Sequence, residues 1–111
     1  SGSVTIVDDR TNLVELVGVL TRFCSSEACG KAIPCRIGTR RLAEVVARHE
    51  AGHARPTDFG RATDLAHDIV ASGLCDHERL TTLPLTSAMR YFASQFAAAS
   101  APVAAAPEAP R

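Results

Sequence analysis

Apolar residues recur every three or four positions along most of this chain, a pattern typical of helices that bury one face. The pattern predicts four helices, the first capped by Asp9 or Thr11 and the second beginning at about Cys35. The third is predicted to begin after a capping Thr57, and the fourth at about Thr82. The predicted fold class is therefore all-α, a small four-helix bundle.

Each predicted helix carries apolar residues that we expect to face inward. The apolar face of the first helix is so broad that we expect most of that helix to be buried. The second helix should end near Glu50, before Gly52, and the third should end at Gly73. The expected inward residues, helix by helix, are Leu13, Val14, Leu16, Val17, Val19, Leu20 and Phe23; Leu42, Val45 and Val46; Phe59, Ala62, Leu65, Ala66, Ile69 and Val70; and Leu85, Ala88, Met89, Phe92 and Phe96.

The two ends of the chain lack this helical pattern. The β-branched run from Val4 to Val7 predicts a short N-terminal strand. Residues 100–111 are rich in Ala and Pro and have no core-forming period, which predicts a disordered C-terminal tail. We therefore expect one helical domain over residues 1–99, followed by a flexible segment over residues 100–111.

Composition excludes several classes of function. With 111 residues the chain is long enough for one small domain. Twelve basic residues balance 12 acidic ones, so nothing predicts binding to nucleic acid. No apolar run reaches the roughly 20 residues of a membrane span, and no signal peptide is recognised at the N-terminus. We expect a cytoplasmic location, or one on the cytoplasmic or matrix face of a membrane complex.

The chain has four cysteines, Cys24, Cys29, Cys35 and Cys75, and they allow two interpretations. Two disulfides would suit a small secreted domain that lacks a core. A helical chain with a core of its own does not need them, and this favours reduced thiols or metal ligands.

The segment from Cys29 to Cys35 reads Cys-Gly-Lys-Ala-Ile-Pro-Cys. It looks like an iron–sulfur loop of the pattern C-x2-C-x2-C in which the middle cysteine has become Ala32. Such clusters are held by thiolates, normally four for a [4Fe–4S] centre. The segment therefore predicts a cluster loop with one ligand missing.

Two blocks of the chain resemble a known family. Residues 27–39 read E-A-C-G-K-A-I-P-C-R-I-G-T, and a later block has Cys75, Pro84 and then S-A-M-R-Y-F at 87–92. Together they resemble the C-terminal iron–sulfur domain of the flavin-bearing (51-kDa type) subunit of NADH dehydrogenases. NAD-dependent formate dehydrogenases and NAD-reducing hydrogenases carry the same domain.

The resemblance implies a function and a ligand set. In the family, four cysteines hold one [4Fe–4S] cluster that accepts electrons from reduced flavin. Carried over to this chain, the ligands are Cys29, Cys35 and Cys75, with Ala32 at the fourth position. The resemblance also implies partners, namely a flavin- and NADH-binding domain and other iron–sulfur subunits, and it places no FMN or NAD site in this chain. No catalytic activity is expected of the chain alone.

Three outcomes remain open at the fourth ligand position. A cluster could persist on three thiolates with a solvent or non-cysteine ligand, or as a degraded or [3Fe–4S] form. His77 or Cys24 could serve as a substitute ligand, with His77 the better placed because it lies two residues after Cys75. Alternatively the cluster has been lost, and the domain is a structural module that docks neighbouring subunits.

One further pair of residues has the spacing of metal ligands. His49 and His53 lie four apart, which can bind zinc on one face of a helix. Gly52 interrupts the helix between them and no third ligand is evident, so we expect an exposed polar end instead.

Overall fold

The structure is a computed structural model, and it describes residues 4–97. The helices are α1 (Leu13–Ser26), α2 (Ile33–Glu50), α3 (Asp58–Ala71), α4 (Asp76–Leu80) and α5 (Leu83–Tyr91), and residues 93–97 are helical as well. The all-α prediction is confirmed, and the four predicted helices correspond to α1, α2, α3 and α5. The segment after Cys75, predicted to be a plain connection, contains the additional short helix α4.

The prediction of an N-terminal strand is wrong for the described part of the chain. Val4 and Ile6 are 85% and 92% exposed, and residues 4–97 contain no strand. A β-branched run forms a strand only where another strand exchanges backbone hydrogen bonds with it, and the described part of the chain supplies none. The tail predicted over residues 100–111, and the domain boundary before it, lie outside the described residues.

The core forms where α2 packs between α1 and α3, with α5 closing it from the side of α1. Small side chains let the helices approach closely. A Cβ atom placed on Gly38 of α2 would lie 2.7 Å from Cδ1 of Ile69 on α3, so any larger residue there would force Ile69 to shift. The buried core residues are Val14, Val17, Leu42, Val45, Val46, Ala62, Ala66, Ile69, Leu85, Ala88, Met89 and Phe96.

The first helix is less buried than its sequence predicts. Its buried positions are the single stripe Val14, Val17, Gly18 and Thr21. Leu20 and Phe23 are 39% and 60% exposed, because they lie outside the stripe that α1 buries against its neighbours α2 and α5. The predicted inward positions Phe59 and Val70 of α3 and Phe92, the residue that follows α5, are likewise exposed.

The cap of α1 also differs from the prediction by one residue. Asn12 is the N-cap, and its side-chain oxygen accepts a hydrogen bond from the backbone N–H of Glu15 at 3.1 Å. The hydroxyl of Thr11 instead donates to Asp8 at 3.4 Å. An Asn oxygen fills the same role as the predicted hydroxyl or carboxylate.

A buried ion pair joins α2 to the start of α3. Both side-chain oxygens of Asp58 accept hydrogen bonds at 2.8 Å from the guanidinium of Arg48, and Oδ2 also accepts one from the N–H of Arg55. Asp58 is fully buried. Burial alone would raise the pKa of Asp58, but these hydrogen bonds and the charge of Arg48 outweigh it and hold that pKa below its ordinary value.

None of the helices in the described range combines the length and the apolar character needed to cross a bilayer.

Candidate functional site

A cavity of about 330 Å³ lies between the loop before α2, the first turn of α2 and the segment that carries α4. Parts of the chain that are 40 residues apart in sequence meet in its wall. The residues that line it are Glu27, Cys29, Gly30, Lys31, Ala32, Cys35, Leu74, Cys75, His77 and Glu78.

The three cysteines predicted to be ligands all line this cavity. Cys35 lies in the first turn of α2 and is 5% exposed. Cys29 lies in the loop before α2 and Cys75 is the residue that precedes α4, and both are exposed. The structure therefore brings together Cys29 and Cys35 from one block and Cys75 from the other.

The cavity wall at the fourth position is an alanine methyl group. Ala32 is the N-cap residue of α2, is half-buried and lines the cavity beside the cysteines. Its side chain offers no lone pair to a metal. The predicted gap in the ligand set therefore falls within the site.

Two residues of the first sequence block set the local geometry. Gly30 has φ of +81°, a left-handed conformation that glycine adopts without strain, and this turns the chain between Cys29 and Lys31. The buried hydroxyl of Thr39 donates to the carbonyl oxygen of Cys35 at 2.7 Å, one turn earlier in α2. Cys35 itself is buried and lines the cavity.

The surroundings of the cavity change the pKa of the Cys35 thiol. Burial raises the pKa of the Cys35 thiol, and the negative charges of Glu78, Cys75 and Cys29 raise that pKa further. The positive end of the α2 dipole acts in the opposite direction on a thiol at this position. An added cation in the cavity would favour the thiolate.

The two substitute ligands named from the sequence have different positions. His77 lines the cavity, and its Nε2 atom lies 3.0 Å from the carbonyl oxygen of Cys24. A carbonyl oxygen only accepts hydrogen bonds, so Nε2 carries the proton and the Nδ1 atom holds the free lone pair of the neutral ring. Cys24 is half-buried at the end of α1 and contributes its backbone, but no side chain, near the cavity wall.

Glu78 is a site residue that sequence reasoning missed. It is 4% exposed and lines the same cavity. Its Oε2 atom accepts hydrogen bonds from the backbone N–H groups of Leu74 and of Cys75, the latter at 3.3 Å. The signal in the sequence was a Glu three residues after a cysteine at a helix start, which is also the pattern of a capping box.

The other residues considered from the sequence, a possible disulfide framework and the His49–His53 pair, form no further site in the described part of the chain. All four cysteines are free thiols. His49 is buried, with its ring against Phe96 and its Nδ1 atom 2.9 Å from the carbonyl oxygen of Val45, so the expectation that it is an exposed polar end is wrong. Between residues 4 and 97, no three His, Cys, Asp or Glu side chains converge closely enough to hold a single metal ion.

Comparison with known families identifies the domain. The profile of the family described as the NADH-ubiquinone oxidoreductase-F iron–sulfur binding region matches residues 15–99 of this chain. That range contains every cysteine and the whole cavity.

Curated relatives agree with this match. The chain is 32% identical over 98 residues to the HndC subunit of the NADP-reducing hydrogenase of Solidesulfovibrio fructosivorans, a match that covers 88% of this chain. It is 32% identical over 89 residues to the F subunit of the NADH-quinone oxidoreductase of Streptomyces coelicolor, a match that covers 80% of this chain. In both cases the match spans only 20% of the relative.

A solved structure shows the same arrangement of helices. A crystal structure of an NAD+-reducing [NiFe]-hydrogenase in the H2-reduced state superposes with a TM-score of 0.80 at 27% identity. The superposition covers 84% of this chain and 16% of that chain.

Proposed function

This chain belongs to the family of the NADH-ubiquinone oxidoreductase-F iron–sulfur binding region, and we propose that it holds its cluster through Cys29, Cys35 and Cys75 to relay electrons. One observation supports this choice of ligands. Cysteines from two separate segments line one cavity, and Ala32 lies in the same wall. Among the four cysteines, only Cys24 is not part of that wall.

The chemical types of the lining residues suit an iron–sulfur cluster, because the cavity has three thiols and one cationic side chain, Lys31. When bound, such a cluster supplies a one-electron redox centre whose potential depends on its ligands and surroundings. Cys29, Cys35 and Cys75 must each lose a proton to become ligands, so cluster binding releases protons. The loop and the start of α2 hold Cys29 and Cys35 in place before binding.

Ala32 leaves the fourth corner of a cubane cluster without a thiolate. The proposed site is therefore either a [4Fe–4S] cluster with a non-cysteine ligand or a degraded, three-iron form. Of the substitute ligands, His77 lines the cavity while Cys24 does not, which favours His77 over Cys24.

The domain would act as part of a larger assembly. The chain spans about a fifth of the length of the curated relatives that it matches. We propose that it receives electrons from a flavin in a complex like NADH dehydrogenase or NAD-dependent formate dehydrogenase. Its partners would be the flavin- and NADH-binding domain and other iron–sulfur subunits, on the cytoplasmic or matrix side. The functional domain would extend over residues 1–99, and the domain alone would have no enzymatic activity.

A second candidate function is a cluster-free module that only docks neighbouring subunits. The observation in its favour is the apolar rim of the site. Leu74 is 83% exposed at the cavity and Ile33, beside Ala32, is 59% exposed. Such side chains would suit an interface whether or not iron is bound.

Iron analysis distinguishes the two candidates. The chain is purified anaerobically and reconstituted with iron and sulfide, and both elements are then measured along with the visible absorption. We expect brown protein with stoichiometric iron and sulfide, lost in Cys29→Ser and in Cys75→Ser. The matched control Cys24→Ser, outside the cavity, should keep its iron. Colourless protein without iron in every sample would leave only the docking function.

A further inference from the structure

We propose that the carboxylate of Glu78 completes the ligand set at the corner that Ala32 leaves open. The inference rests on the proposed function, because it requires a cluster held by Cys29, Cys35 and Cys75. The ionised carboxylate would donate an oxygen lone pair to the fourth iron, and no proton or electron would be transferred. The consequence is a cluster with one iron in a mixed sulfur and oxygen environment.

The first argument is that Glu78 is buried without a cation. Two carboxylates are buried among residues 4–97, Asp58 and Glu78. Asp58 forms an ion pair with Arg48 at 2.8 Å, whereas Glu78 forms no ion pair in the described part of the chain. Buried charges in proteins are normally paired or coordinate metals. Lys31 lines the same cavity but forms no ion pair with Glu78 in the described part of the chain, so the iron at the open corner would be the partner of this carboxylate.

The second argument concerns which oxygen is already bonded. Both hydrogen bonds from backbone N–H groups, those of Leu74 and Cys75, go to Oε2. Within the described residues, no donor bonds Oε1. A carboxylate has two oxygens with separate lone pairs, so one can cap the start of α4 while the other binds iron. The cap would then hold the ligand in position.

The third argument is that Glu78 and Cys35 are both buried in the wall of the same cavity. Once Cys35 loses its proton to bind iron, its thiolate and the carboxylate of Glu78 are like charges in a partly buried space, and an iron ion between them stabilises both. Carboxylates are ordinary ligands of iron in proteins, alone or with histidine.

His77 is the rival ligand at the same corner. Its ring is fixed by the hydrogen bond from Nε2 to the carbonyl of Cys24, an orientation that ligating histidines often have. The observations favour Glu78, because Glu78 is more buried and is bonded to the N–H of the ligand Cys75 itself. Ligation by His77 is therefore an outcome of the test.

The test compares Glu78→Gln in two backgrounds, the native chain and Ala32→Cys. Glutamine keeps the size of the side chain and an oxygen that can cap α4, but removes the anionic ligand. Each protein is reconstituted anaerobically, and EPR follows the rate at which mild oxidation converts it to the three-iron form. Circular dichroism checks folding. The matched control is Glu15→Gln, the same change at an exposed carboxylate of α1 that does not line the cavity.

In the native background Glu78→Gln should accelerate loss of the fourth iron by ~10-fold or more, the usual scale for disturbing a metal's ligand sphere. In the Ala32→Cys background it should change that rate by less than about twofold, because a thiolate then holds the fourth iron. Glu15→Gln should leave the rate unchanged in both. This pattern identifies Glu78 as a ligand.

Three results would overturn the inference. The first is the same acceleration in both backgrounds, since Glu78 would then act only as a cap of α4. The second is no acceleration in the native chain. The third is a nitrogen hyperfine coupling in the pulsed EPR spectrum of the reduced native cluster that His77→Gln abolishes. Absence of iron from every variant, Ala32→Cys included, would instead refute the proposed function itself.

Discussion

The Nε2 atom of His77 lies 3.0 Å from the backbone carbonyl oxygen of Cys24, although the two residues are 53 positions apart in sequence. This hydrogen bond joins the first turn of α4 to the last turns of α1. Because α4 has only five residues, it has little stability of its own and depends on such contacts. The wall of the cavity that contains Cys75 and Glu78 is therefore held partly by His77.

Replacing His77 by alanine should loosen that wall. The substitution removes the donor and leaves the carbonyl of Cys24 without its partner, which should lower the free energy of unfolding by about 1 kcal/mol. Urea unfolding of the iron-free protein measures the change. The control His67→Ala, on the exposed surface of α3, should stay within about 0.5 kcal/mol of the native chain. Equal effects of the two substitutions would contradict the assigned role.

The ion pair between Arg48 and Asp58 should be a main support of the packing of α2 on α3. Asp58→Asn removes the charge that compensates the partly buried guanidinium of Arg48, so we expect a loss of about 3 kcal/mol in the free energy of unfolding. The control Asp64→Asn changes an exposed carboxylate on the same helix and should have little effect. Thermal and urea unfolding together measure both variants.

The same pair predicts a pH dependence. The pKa of Asp58 lies below its ordinary value of 3.8 in the folded protein. A lowered pKa stabilises the fold above the unfolded value and loses that contribution as pH falls through the folded value. The stability difference between the native chain and Asp58→Asn should therefore be constant near neutral pH and shrink below about pH 4. A difference that stays constant on acidification would show that the charge of Asp58 does not matter.

Gly38 should be required for the contact between α2 and α3. Gly38→Ala places a methyl group 2.7 Å from Cδ1 of Ile69, which is 1% exposed, so we expect a loss of about 1–3 kcal/mol. Ile69→Ala removes both clashing atoms, Cδ1 and Cγ1 (the latter at 2.8 Å), and the double variant should therefore lose less than the two single losses combined. Gly60→Ala is the control, because nothing lies within 4 Å of a Cβ atom there, and it should stabilise α3 by about 0.5–1 kcal/mol.

A thiol introduced at position 32 should strengthen binding of the proposed cluster. Ala32→Cys adds a fourth thiolate to the cavity wall, so the iron content should approach that of a complete [4Fe–4S] cluster and oxidative iron loss should slow by ~10-fold. Ala28→Cys is the matched control, since Ala28 lies in the same loop but not in the cavity wall. An equal gain from both would point to adventitious iron on added thiols.

Much of the helical frame was predictable because local rules determine it. The faces of α2 (Leu42, Val45 and Val46) and of α5 (Leu85, Ala88 and Met89) are buried as their spacing predicts. The faces of α1 and α3 were predicted too broadly, because periodicity shows that a face is apolar but not how much of it a neighbour covers. Phe23 in α1 is the clearest case, since its place in the pattern resembles that of a core residue and yet it is 60% exposed.

The sequence by itself determined the helical class, the gapped cysteine loop and its distant partner Cys75, because residue spacing and motif blocks are properties of the chain alone. Only the tertiary structure decided which groups share the cavity with Cys29, Cys35 and Ala32. It left Cys24 out of the wall, fixed the ring of His77 on the end of α1, and added the buried carboxylate of Glu78. The physical reason is that burial and electrostatic contact depend on how α4 packs against distant parts of the chain. A glutamate that the sequence assigns to a helix start thus becomes, in three dimensions, a buried anion beside three thiols.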